Sequence, residues 1–130
     1  MRKIQFVLTA VLATVLFSAV AQEKVEKKEK PKEMTITGEV IDVKCYLMGM
    51  MGGKGEEHKQ CAIDCIQGGL PVGILEDKTD SVYTVVPKGG MKGGGEELLP
   101  HVAQKVKLTG TVIRKGGERM FVYTKVEGVK

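Results

Sequence analysis

All three cysteines of this 130-residue chain fall between Cys45 and Cys65, and that clustering constrains the fold more than any other feature. The segment reads Cys-Tyr-Leu-Met-Gly-Met-Met-Gly-Gly-Lys-Gly-Glu-Glu-His-Lys-Gln-Cys-Ala-Ile-Asp-Cys and carries one of the two histidines. A helix over residues 56–67 would place His58, Cys61 and Cys65 at i, i+3 and i+7, which is one face. Cys45 ends an apolar, strand-like run, and the glycine-laden loop after it can fold it back onto that face. Cys45, His58, Cys61 and Cys65 then make a Cys₃His set, enough to close a tetrahedral zinc site. A fold that closes such a site brings the end of a strand to the face of a helix.

Two other readings of the same residues stay open. Cysteines at i and i+4 of a helix sit roughly 6 Å apart at Cα, within disulfide range, so Cys61 and Cys65 could bond to each other. Alternatively Cys45 staples to one of them and leaves a thiol over. Buried, inert thiols are the third outcome.

The compartment bears on this choice. Residues 1–21 have the pattern of an export signal: Arg2 and Lys3, an apolar stretch from Ile4 to Phe17, and Ala19-Val20-Ala21 before Gln22. The apolar stretch is short for a membrane span and no second one follows it. No cysteine stands just after the cleavage point, so a lipid anchor is not indicated. The expectation is a periplasmic or secreted protein with no span after cleavage. Outside the cytosol thiols tend to pair, and an odd number leaves one over. A metal that holds all three thiolates accommodates the odd count better than a disulfide framework does.

Loss of residues 1–21 brings 20 basic residues to 18 against 16 acidic ones, a net of +2. A chain so near neutrality has no electrostatic need of an anionic polymer. Residues 22–33 interleave four glutamates with five lysines and hold only Val25 as an aliphatic side chain. With no apolar stripe to dock, they read as a charged, disordered arm. One folded domain is expected over residues 34–130.

That domain reads as strands. Residues 35–47 are rich in β-branched side chains, and their alternation shifts phase between Val40 and Ile41, just after Gly38. A shift beside glycine is the mark of a bulge or strong bend, so one long curved strand is expected. Residues 71–75 and 81–86 alternate around a polar turn and form a hairpin. Residues 88–95 form a glycine-rich loop without a phosphate-loop pattern. Residues 96–104 hold a short helix, with Glu96 and Glu97 at its start and Leu98, Leu99 and Val102 toward a core; His101 is read as a surface residue. Residues 105–115 and 119–126 pair across Lys115-Gly116-Gly117-Glu118, with Met120, Val122 and Val126 on one face of the returning strand. Five strands with a short helix between the third and fourth predict an all-β fold, a five-stranded OB-like barrel. The Cys/His segment becomes an insertion between strands 1 and 2.

The stretches Gly38-Glu39-Val40-Ile41-Asp42-Val43-Lys44-Cys45-Tyr46, His58-Lys59-Gln60-Cys61-Ala62-Ile63-Asp64-Cys65 and Gly69-Leu70-Pro71-Val72-Gly73-Ile74-Leu75 resemble a largely uncharacterised family of small exported bacterial proteins. The resemblance covers most of residues 34–126 and implies an OB-like exported domain, without implying an activity. The Cys-x₃-Cys pair is also similar in spacing to Sco-type copper chaperones and to the dinuclear copper centre of cytochrome oxidase, whose histidines lie elsewhere in the chain.

Zinc is the first candidate ion, because it takes four nitrogen and sulfur ligands. Copper(I) is the alternative, selected by soft sulfur, with Met48, Met50 and Met51 in the covering loop as further thioethers. The methionines read first as adaptable packing over a small barrel, and as ligands second. The spacing argues against haem attachment, since three residues separate Cys61 from Cys65 and no histidine follows directly. A thiol oxidoreductase would want Cys-x-x-Cys at a helix N-terminus, so the balance is against an enzyme. Nucleic acid is also excluded. Residues 34–130 carry 13 basic and 12 acidic side chains, and the aromatics are only Tyr46, Tyr83, Phe121 and Tyr123. The expected role is a metal-binding domain, structural or carrier; a disulfide-stapled interaction module is the second reading. The partner, a protein or small ligand, is not specified by any motif.

Overall fold

A computed structural model describes residues 31–129. The export signal and most of the charged arm lie outside the described residues. Among the described residues no helix is long and apolar enough to cross a membrane.

Five strands, β1 (Glu33–Asp42), β2 (Val72–Glu76), β3 (Val82–Pro87), β4 (Lys105–Lys115) and β5 (Glu118–Gly128), close into a barrel in the order β1-β2-β3-β5-β4. All neighbours are antiparallel except β3 and β5, which pair in parallel from Thr84↔Met120 to Pro87↔Tyr123. This is the OB-like barrel expected from the element order.

The long first strand makes closure possible. From Glu33 to Glu39 it pairs with β4, and from Gly38 to Asp42 it pairs with β2. The change of partner falls at Gly38. A Cβ there would overlap the Leu75 carbonyl and crowd the Ile74 side chain, so β1 can cross its neighbours only where it has no side chain. Beyond Glu39, Val40 bonds to the segment leading into β4: its N–H donates to the Gln104 carbonyl at 3.0 Å, and its own carbonyl accepts from Ala103 at 2.9 Å.

The strand ends at Asp42, earlier than its β-branched composition suggests. Residues 43–47, expected to continue it, form most of helix α1 (Val43–Met48) instead. The reason is local. Asp42 is extended, and its carboxylate accepts the Cys45 N–H at 2.6 Å, which is a helix N-cap. A capping side chain outweighs the weak strand preference of Val43 and Tyr46.

A 3₁₀ turn (Glu56–His58) leads into helix α2 (Lys59–Gln67). The expected short helix splits into α3 (Gly95–Leu98) and a 3₁₀ turn (Leu99–His101), with Pro100 inside that turn. Leu98 and Val102 are buried, as expected, and Leu99 packs against the core from its edge. Inside the barrel lie Ile36, Val40, Ile74, Val85, Val106, Leu108 and Phe121. Phe121 meets Tyr83 edge-on, with centroids 6.3 Å apart.

Met120, Val122 and Val126, expected on one face of β5, do not share one. Phe121 and Tyr123 are buried and Met120 is exposed, whereas Val126, beyond the register shift opposite Thr109 and Gly110, packs against the core. Before that shift both faces of β5 carry apolar side chains. The two aromatics have the larger area to bury, and they take the interior.

Candidate metal centre

The insertion between β1 and β2 sits on the barrel through α2. Ala62 and Ile66, one turn apart, are buried in the core cluster. Cys61 and Cys65 stand one position earlier in each turn, at the edge of that contact, and are partly exposed. The apolar stripe of α2 thus fixes where its two sulfurs lie.

Cys45 comes from the other side. It is 1% exposed and sits in the first turn of α1, pinned through its N–H to Asp42. The loop after α1 returns closely over it. Gly53 lies against Tyr46 so tightly that a Cβ would approach the Tyr46 Cα to 2.5 Å, and its φ of 66° is left-handed. The glycine run is therefore the structural means of bringing α2 back to α1. Further on, the Gly55 N–H donates to the Glu39 carboxylate at 2.5 Å, tying the loop to the barrel.

These placements bring Cys45, Cys61 and Cys65 together, with their sulfurs all within 4.8 Å of one another. Cys45 Sγ and Cys65 Sγ are 3.8 Å apart. Tetrahedral zinc with Zn–S of about 2.3 Å holds its sulfurs about 3.8 Å apart. A disulfide needs roughly 2.0 Å, so bonding would require both thiols to move. The three cysteines are close enough to hold a metal ion.

His58 is not in the 4.8 Å group with the sulfurs. It is nevertheless 1% exposed, one turn before Cys61, and neither Nδ1 nor Nε2 has a hydrogen-bond partner. Its main-chain N–H donates to the Gly55 carbonyl at 3.1 Å. Buried imidazoles ordinarily satisfy at least one nitrogen, so this side chain calls for a partner. His101, read as a surface residue, is half-exposed and takes no part in the cluster.

Asp42 was legible in the sequence only as part of a family-like pattern, yet it is completely buried. Aspartate is a favoured helix N-cap, and its place just before Val43 was the one local hint available. One carboxylate oxygen caps Cys45; Oδ2 has no partner. Burial, with the Asp42 carboxylate and the Cys65 thiol beside it, pushes the Cys45 thiol up to about 12. Without a cation the thiol keeps its proton at neutral pH, and a bound metal would displace that proton.

No family model, curated protein or solved structure matches this chain.

Proposed function

We propose that this chain is an exported metal-binding domain in which Cys45, His58, Cys61 and Cys65 hold a zinc ion. The observation that carries the reading is the convergence of three sulfurs from two elements; a buried histidine one turn before Cys61, with neither ring nitrogen partnered, offers a fourth ligand. His58 lies outside the 4.8 Å group of sulfurs, so completing the set requires the 3₁₀ turn that carries it to bring its ring to the ion. Four protein ligands fill a tetrahedral site and leave no open position, which is the pattern of structural rather than catalytic zinc. The ion would lock the α1–α2 insertion onto a small barrel, and binding would then contribute directly to folding.

Copper(I) carriage is the second reading. It is favoured by the soft sulfur set and by three exposed methionines, Met48 at the end of α1 and Met50 and Met51 in the 3₁₀ turn after it. A Cys45–Cys65 disulfide is the competing non-metal state.

Elemental analysis with a thiol count, on protein recovered from its exported compartment, tests the proposal. Zinc at one ion per chain, with all three thiols recoverable after denaturation, is expected. Metal-free protein with a Cys45–Cys65 bond and one remaining thiol would overturn it.

A further inference from the structure

We propose that Asp42 is a positioning residue of the metal site, its Oδ2 taking the ring N–H of His58 while the other ring nitrogen goes to the ion. This rests on the metal reading above and adds a residue that is not itself a ligand.

The argument is one of hydrogen-bond accounting. Among the described residues, the buried side-chain polar atoms without partners are Asp42 Oδ2, His58 Nδ1, His58 Nε2 and the Tyr123 hydroxyl. The Tyr123 hydroxyl lies beside Glu97, away from the cysteines. The other three atoms belong to two residues that flank the cluster in the same way. Asp42 stands three residues before Cys45, and His58 stands three before Cys61.

A neutral imidazole has one N–H and one bare nitrogen. If the bare nitrogen binds metal, the N–H needs a buried acceptor, and Asp42 Oδ2 is the carboxylate oxygen left over. One ion and one hydrogen bond would satisfy all three orphaned atoms together. Buried polar atoms left without partners are destabilising, so the fold has reason to pair them. A carboxylate behind a ligating histidine fixes its tautomer and makes it more basic. Asp42 is well held for that duty, because its other oxygen is fixed by the Cys45 N–H at 2.6 Å. The same carboxylate would then orient two ligands, Cys45 through its main chain and His58 through its ring.

The test is zinc affinity, by competition with a chromophoric chelator, for wild type, Asp42→Asn and Cys61→Ser. Asparagine still accepts the Cys45 N–H, so the metal-free stability of Asp42→Asn should match wild type. Its zinc affinity should fall by about 10–100-fold, with binding retained. In ¹⁵N spectra, zinc-loaded wild type should show a slowly exchanging His58 ring N–H, and that exchange should quicken in Asp42→Asn. An unchanged affinity in Asp42→Asn would overturn the proposal. So would a loss as complete as that of Cys61→Ser, which would make Asp42 a ligand. If Asp42→Asn does not fold, the wild-type spectrum decides, and a ring N–H exchanging at the solvent rate refutes the pairing. Wild type that takes up no zinc would instead sink the metal reading itself, and this inference with it.

Discussion

At the scale of single residues, the thiol of Cys45 has the most specific consequence. Its ordinary value of 9.0 is raised to about 12 by burial, with Asp42 and Cys65 adding to the effect. Raising the pKa of an acid favours its protonated form in the fold. In metal-free protein this stabilisation is fully present below about pH 9. It is lost as the pH climbs toward 12, because the unfolded chain ionises first. Chelator-treated wild type should therefore lose stability above pH 9 in denaturant titrations, and Cys45→Ser should lose less. Equal losses in both would mean the thiol is not buried against Asp42. With metal the sign reverses for binding: uptake releases the proton, so apparent affinity should rise with pH.

At the scale of elements, the strands test which side chains face the interior. Leu108 lies wholly inside on β4, and Leu108→Ala should cost about 2–5 kcal/mol in urea unfolding. On β5, Phe121→Ala should cost about 3–5 kcal/mol, whereas Met120→Ala should stay within about 0.5 kcal/mol. The reverse order would place Met120 rather than Phe121 inside the barrel. The barrel itself was legible, since strand positions and turn residues follow from β-branched runs and from Gly116-Gly117. The choice of face on β5 was not, because apolar residues on both sides leave the period silent and only the size of the aromatics decides. The helix α1 was misread for a different reason. Its residues look extended until the Asp42 carboxylate is seen to cap them, a single hydrogen bond that composition cannot reveal. The cysteine cluster was legible from spacing, whereas burial of Asp42 depended on how the barrel closes.

At the scale of the whole molecule, a small OB-like barrel carries an insertion whose three cysteines are close enough to hold a metal ion. Export has its own check. Mass spectrometry of mature protein should find an N-terminus at or near Gln22, and retention of Met1 in a membrane fraction would contradict it. The central claim is that metal, rather than a disulfide, holds the insertion. Its most direct test is thermal unfolding of wild type and His58→Ala, each with chelator and with reductant. The account predicts that chelator lowers the wild-type midpoint strongly. It predicts that His58→Ala starts near that lowered value and responds little to chelator, while reductant is without effect on either protein. A midpoint lowered by reductant, indifferent to chelator and unaffected by His58→Ala, would contradict it.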